Sequence, residues 1–384
     1  MATAEMQKRQ PDGQWEEEIL DAPPMSLSQV YTLEEQLKED LPLTHRDPTT
    51  AQHLPKTTLS RQRASISAQS LDRDEYLPGK ISCINKAGDD NAVTPQETVL
   101  YLAYGSNLAS ATFLGARGIK PLSQLNVIVP ELRLTFDLPG VPYIEPCFAG
   151  THFRNTGANK ENTAADDFTT SENYPLLLQD QDQDRYIGPL VGVVYEVTLR
   201  DYAKIIATEG GGGGYKDIVV TSYPFPETYD RADPIPENPE TQPIKAHTLL
   251  SPAGMQELRQ HPTTSGLHPR PNAGHAQPSS RYLNLITTGA EEHNLPLAYR
   301  EYLAQIQPYR ITSMRQKIGK VIFLGMWAPI LLLILALPRI FARSDGRSPR
   351  WVAQSANMAF AAMWSCYDHV FVHIFGDGER TVER

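Results

Sequence analysis

Apolar and polar positions change period several times along this chain. Thr98 to Tyr104 (Thr-Val-Leu-Tyr-Leu-Ala-Tyr) is a β-branched and aromatic run halted by Gly105-Ser106-Asn107, the pattern of a strand ending in a turn. The same reading places strands at Leu125–Val129, Arg133–Phe136, Cys147–Phe153, Leu190–Val197, Asp217–Tyr223 and Ile244–Leu250. A helical period starts at Thr198, with Asp201 three residues on as an acidic capping partner, and continues through Tyr202, Ile205 and Ile206. A second begins at Ser279 or Ser280 and presents Tyr282, Leu285, Ile286 and Gly289. Pro296 opens a third through Tyr299, Leu303 and Ile306, which stops before Pro308. Many strands, with few helices that lie mainly after them, predict an α+β fold with a mixed, largely antiparallel or barrel-like sheet.

Near the C-terminus the periodicity gives way to a continuous apolar stretch. Val321 to Pro338 is eighteen residues without a charge, roughly 27 Å of helix, close to the thickness of a bilayer core. Arg310, Arg315, Lys317 and Lys320 precede it, and Arg339, Arg343, Arg347 and Arg350 follow. A buried core helix has the same apolarity, but the basic flanks favour a transmembrane helix over about 321–342. With cations on both sides, charge does not orient it. Trp351 to Phe375, which contains Asp368, His369 and His373, reads as an amphipathic tail lying at the interface. His369 and His373 share a helix face without a carboxylate or cysteine motif, so no metal site is expected.

Residues 1–95 carry few periodic apolar positions, and sixteen acidic against ten basic residues give them a net charge of −6 out of −10 for the chain. This composition predicts a disordered acidic arm. Residues 96–312 then form the folded domain, interrupted at 155–185, 224–243 and 251–278 by polar or Pro-rich insertions, and residues 313–384 form the membrane helix and tail. Loops of that length are uncommon in compact domains, and they hold much of the excess over average in the 31 prolines. The acidic balance argues against a nucleic-acid partner. Three widely spaced cysteines, Cys83, Cys147 and Cys366, make neither a disulfide framework nor a zinc cluster.

Two clusters can carry chemistry. Tyr104-Gly-Ser-Asn-Leu108 follows directly on a strand, where consecutive backbone N–H groups can form an anion-binding nest; an ordinary strand-ending turn has the same residues. Thr208-Glu209 is followed by five glycines and Tyr215. The glycines clear all side chains from beside one carboxylate and let a ligand approach the backbone. A phosphate loop is excluded, because Tyr215 separates Gly214 from Lys216 and Asp217 stands where Ser or Thr is required. Glu209 falls three residues after Ile206, on the apolar side of its helix, where partial desolvation would suit it to proton transfer. A solvated glutamate at a helix end is the alternative. Cys147 with His152 reads as a buried structural cysteine, since nothing orients the histidine.

Taken together, these clusters resemble the gamma-glutamylcyclotransferase family. The resemblance rests on Tyr104 to Leu108 after the first strand, on Leu190-Val-Gly-Val-Val-Tyr-Glu-Val197 leading through a helix to Glu209-Gly210, and on Ser280-Arg-Tyr282 followed by Gly289-Ala-Glu-Glu-His-Asn-Leu-Pro-Leu-Ala-Tyr299. It covers roughly residues 98 to 309. The insertions, arm and apolar tail are more similar to the cyclotransferases of fungal gene clusters for gliotoxin-type epidithiodioxopiperazines, in which gamma-glutamyl is removed from a glutathione-derived intermediate.

The resemblance implies a lyase without metal or organic cofactor. Intramolecular attack of the substrate α-amine on the γ-carbonyl would release 5-oxoproline and an amine or cysteinyl product. Glu209 is implied as the catalytic acid–base. Gly105, Ser106 and Asn107 would hold the α-carboxylate or the developing oxyanion, and Leu108, Tyr104, Tyr215 and Tyr282 would complete the substrate site. The partners expected are a small glutathione-derived gamma-glutamyl substrate and a membrane crossed once, with the catalytic domain in the cytoplasm. Two other readings stay open: a gamma-glutamylamine cyclotransferase, and a non-catalytic, membrane-tethered protein that binds a thiol metabolite.

Overall fold

The computed structural model describes residues 54–68, 98–154, 188–208, 216–250, 275–341 and 349–382. In chain order the elements are α1 (Leu59–Ala64), β1 (Thr98–Ala103), β2 (Ser123–Val129), β3 (Leu132–Val141), β4 (Glu145–Phe153), β5 (Leu190–Thr198), α2 (Leu199–Thr208), β6 (Lys216–Pro224), β7 (Ile244–Leu250), α3 (Ser280–Glu292), α4 (Leu297–Gln305), α5 (Met314–Phe341), α6 (Arg350–Cys366) and α7 (Val372–Phe375). Every strand and helix read from the β-branched runs and capping residues is present, with ends moved by a few residues. Thr198 caps α2 by accepting from the Asp201 N–H at 3.1 Å, while the Asp201 carboxylate takes the Lys204 ammonium at 2.6 Å. Ser279 caps α3 by accepting from the Tyr282 N–H at 3.1 Å, a contact of the kind worth about 1 kcal/mol.

Five strands form a mixed sheet in the order β1-β5-β2-β6-β7. Its antiparallel pairs are fully laddered except β2–β6, which meet only at Val127–Pro224 and Ile128–Tyr223. The ends β1 and β7 touch through one parallel pair, Tyr101–His247. The main core lies against this sheet: Leu102, Leu108, Val127, Val193, Ile205, Ile286 and Tyr299 are all fully buried.

The expected fold class needs correcting at two points. The α+β assignment stands, but the sheet is mixed and not a continuous barrel. Its ring is joined by one residue pair, and β3 and β4 leave it to form their own two-stranded antiparallel ribbon. A register shift between Thr135 and Leu138 bends that ribbon, as a bulge does.

The second correction concerns the N-terminal arm, expected to be disordered. Lys56 bridges to Gln124 of β2, the Thr57 N–H donates to Gln124 O at 3.1 Å, and α1 lays Arg61 on Glu196 of β5 at 3.1 Å. Arg61 also reaches the Thr98 carbonyl at 3.0 Å, and Thr98 and Ser123 both donate to the Glu196 carboxylate. These bonds are long-range, which is why no local periodicity announces the segment. The rest of the arm, 1–53 and 69–95, lies outside the described residues.

The apolar C-terminal helix expected from the sequence is present as α5. Met314–Ile334 within α5 is, among the described residues, the one helix long and apolar enough to cross a membrane on its own length and composition, and 28% of it is buried. It is not a lone helix. Phe323, Trp327 and Leu331 of α5 pack with Phe360, Met363 and Trp364 of α6, and with Val141 and Tyr143 from the tip of the β3–β4 ribbon, as a second apolar core. The Pro-rich segment 224–243 is a loop, as read, but an attached one: Phe225 and Ile235 pack on the main core, and Arg231 O accepts from the Leu297 N–H at 2.9 Å. The insertion at 155–185 and residues 251–274 of the third lie outside the described residues.

Candidate active site

The first strand delivers the Tyr-Gly-Ser-Asn turn to one end of the sheet. Tyr104 is buried, Gly105 and Ser106 are half-buried, and Asn107 and Leu108 are buried again. Gly105 takes φ −108 and ψ −140, after which Ser106–Leu108 close a single tight turn with the Leu108 N–H donating to Gly105 O at 3.0 Å. Among the described residues, nothing accepts from the N–H groups of Gly105 and Ser106. Two adjacent backbone donors at a half-exposed turn are suited to an anionic group. Asn107 turns inward, and its Nδ2 donates to the Tyr101 hydroxyl at 2.8 Å, so strand and turn are locked together.

Helix α3 fixes this turn from the other side. Tyr282 and Gly289 are seven residues apart, two helical turns, and so share a face. A Cβ on Gly289 would lie 2.4 Å from the Leu108 carbonyl carbon, so only glycine permits this approach of helix to turn. At the far end of α3, Glu292 accepts from the Ser110 N–H at 2.7 Å and from its hydroxyl. His293 Nε2 donates to Leu108 O at 3.1 Å, with the Tyr195 hydroxyl 2.7 Å from the same nitrogen. Burial holds the His293 pKa below its ordinary value, although the Leu108 bond and Glu292 oppose it. It is therefore a neutral clasp at physiological pH.

Near the start of α3, Tyr282 reaches the glycine of the turn. Its hydroxyl accepts from the Ala149 N–H at 3.1 Å and lies 3.3 Å from where a Gly105 Cβ would stand. The edge-to-face packing of Phe148 holds the ring at 5.0 Å. Next to it, Arg281 donates to the fully buried Glu145 at 3.1 Å. Burial raises the Glu145 pKa, with Arg281 and Ser279 pulling the other way. On the same ribbon, His152 Nε2 bonds Asp137, which also accepts from Thr135 at 2.7 Å. Burial alone would raise the Asp137 carboxyl, but these partners hold it below the ordinary range. Cys147 is buried, and its thiol is pushed well up by burial and by Glu145, Asp137 and Glu379. It is a structural residue, as the sequence suggested.

The structure thus brings Tyr104, Gly105, Ser106, Asn107, Leu108 and Tyr282 together. Glu209 and Tyr215 lie outside the described residues, but the chain on either side of them is anchored. Thr208, the last residue of α2, bonds Arg117 and donates back to Lys204 O at 2.8 Å. On the far side, Asp217 accepts from the Tyr202 hydroxyl and faces His247 Nδ1 at 3.0 Å, with all three side chains buried. Sequence reasoning missed this Asp217–His247–Tyr202 cluster, the His293 clasp and the Glu145–Arg281 pair. His293 was within reach, because it follows Gly289 in the quoted segment. The others unite residues far apart in sequence.

Comparison with known proteins gives related chains of similar extent. The family model describing the AclK C-terminal domain matches residues 313–374. Gamma-glutamyl cyclotransferase gliK of Aspergillus fumigatus is 32% identical over 287 residues, covering 74% of this chain and 90% of the relative. Gamma-glutamyl cyclotransferase aclK of Aspergillus oryzae is 31% identical over 288 residues, covering 73% and 90%. Gamma-glutamyl cyclotransferase gliK of Claviceps purpurea is 25% identical over 273 residues, covering 71% and 99%.

Proposed function

This chain belongs to the gamma-glutamyl cyclotransferase family, and from that premise we propose that it removes gamma-glutamyl from a glutathione-derived intermediate in fungal secondary metabolism of the gliotoxin type. Enzymatic release of 5-oxoproline is the family's chemistry. The observation carrying the site assignment is the half-exposed Gly105–Ser106 turn, with two N–H groups that have no acceptor among the described residues and the Tyr282 hydroxyl beside it.

The substrate contains its own nucleophile. Its α-amine reaches the γ-carbonyl through a five-membered ring, and well-oriented intramolecular reactions attain effective molarities of roughly 10⁵ M or more. Holding the glutamyl chain folded is therefore most of the catalysis. The N–H groups of Gly105, Ser106 and Asn107 would hold the α-carboxylate or the developing oxyanion. Glu209, one residue beyond the anchored end of α2, would take the proton from the attacking ammonium and return it to the leaving nitrogen. Tyr104, Leu108, Tyr215 and Tyr282 would form the walls. No step requires a metal or organic cofactor. Residues 96–312 constitute the catalytic unit, 313–384 hold it at a membrane through about 321–342, and the catalytic unit faces the cytoplasm.

The deciding experiment is incubation with glutathione, gamma-glutamyl peptides, gamma-glutamylamines and a glutathione–diketopiperazine adduct, read as 5-oxoproline. Preference for the adduct supports the pathway reading, and preference for gamma-glutamylamines overturns it. Glu209→Gln should abolish release while the thermal melt stays unchanged, and retained turnover would refute the acid–base role. Tight binding of the adduct without 5-oxoproline would leave a binding protein in place of the enzyme.

A further inference from the structure

We propose that α5 and α6 enter the membrane together as a helical hairpin that crosses and returns, so that the C-terminal residues finish on the same side as the catalytic domain. The proposal rests on the membrane reading above and replaces a single crossing with two. The decisive observation is where the chain goes after α6. Phe375 packs against Gly319 near the start of α5 so closely that a Cβ added to Gly319 would stand 2.6 Å from the Phe375 Cβ. Beyond it, Gln316 Nε2 donates to Asp377 O at 2.7 Å, the Tyr143 N–H donates to Gly378 O at 2.8 Å, and the Gln277 N–H donates to Glu379 O at 2.8 Å. The tail is thereby tied to the folded domain at the base of α5. A chain that leaves by α5 and is fastened again beside its starting point has crossed an even number of times.

The two helices match in depth. Phe323 meets Phe371 at 4.9 Å near the base, and Phe341 meets Trp351 at 5.0 Å at the far end. Between those levels α5 is charge-free from Val321 to Pro338, and the returning segment is charge-free from Trp351 to Tyr367. The returning segment's seventeen residues span about 25 Å at 1.5 Å each, close to a bilayer core. Of its polar side chains, Asn357 is buried and the Ser355 hydroxyl bonds back to Trp351 O at 2.9 Å.

Lipid is the occupant that fits the outer face. Ile318, Ile322, Met326, Ile330 and Leu333 recur every three or four residues along α5, each at least 40% exposed. That stripe runs most of the helix length, and a contiguous exposed apolar face of this kind marks a membrane or partner contact. At its base stand exposed Arg315 and Lys317, with no acidic residue in the first turn of α5. Cations are disfavoured at a helix N-terminus by the dipole, so their placement points to anionic headgroups.

The test uses the full-length protein with an N-terminal epitope tag, inserted in vesicles of phosphatidylcholine and phosphatidylserine. Single-cysteine variants Pro349→Cys and Val382→Cys, in a background lacking Cys83, Cys147 and Cys366, are labelled with a membrane-impermeant maleimide. The expected result is Val382→Cys labelled on the side of the N-terminal tag and Pro349→Cys on the opposite side. Val382→Cys on the side opposite the tag means one crossing and overturns the hairpin while keeping the anchor. All three positions on one side mean a surface-lying pair and overturn it too. Release of the protein by an alkaline carbonate wash would refute the membrane reading itself.

Discussion

Tyr282 is the residue on which the turn, the ribbon and helix α3 converge. Tyr282→Phe removes the acceptor of the Ala149 N–H, and an unpaired buried donor costs about 1–3 kcal/mol. We expect a lower melting temperature and a fall in kcat/KM on the order of tenfold, the equivalent of one lost hydrogen bond; steady-state 5-oxoproline release with parallel calorimetry checks both. His293 gives a pH signature. Its folded pKa is depressed, so between that value and about 6.5 the unfolded chain binds more protons. Stability is therefore full at neutral pH and declines as pH falls through about 6.5 toward the folded pKa. Thermal melts at several pH values should show a smaller acid loss in His293→Gln than in the wild type. The Tyr-Gly-Ser-Asn-Leu residues and Tyr282 were legible in the sequence because each motif is contiguous. The Glu145–Arg281 pair, 136 positions apart, was not.

At the scale of elements, the position of α3 against the turn depends on one missing methyl group. Gly289→Ala would press Cβ into the Leu108 and Ala109 backbone, which cannot swing aside as a side chain can. Overpacking of this kind costs about 1–3 kcal/mol. The helix carries Tyr282, so activity should fall further than the melting temperature alone accounts for, as measured by kcat/KM below the melt. Arg61→Ala tests the brace at the other end of the sheet. It leaves Glu196 with only its hydroxyl partners, and a loss of about 1–3 kcal/mol is expected in denaturant unfolding. Helices and strands were readable because caps and β-branched runs are local signals. The split of β3 and β4 from the main sheet was not, because pairing order is decided between distant strands. The ordered piece around Arg61 was hidden for the same reason: it has almost no apolar period of its own and is held by Glu196 and Thr98.

At the scale of the molecule, the last residues complete the structure around the candidate site. Gly378 and Glu379 accept from Tyr143 and Gln277, and the Thr381 N–H donates to Gln277 Oε1 at 2.7 Å, two residues before the Ser279 cap of α3. Deleting Gly376 to Arg384 should lower both melting temperature and 5-oxoproline release, whereas deleting residues 1–50 should leave both unchanged; the two truncations measured side by side check this. The same bonds set an order of events during synthesis. Tyr143 leaves the ribosome 235 positions before its partner Gly378, an interval on the order of tens of seconds at roughly 5–20 residues per second. The apolar helix emerges within that interval, ahead of the tail that brings the chain back. On the membrane reading proposed above, insertion machinery would meet α5 before the domain can close, and the enzyme would reach its finished form only after that delivery.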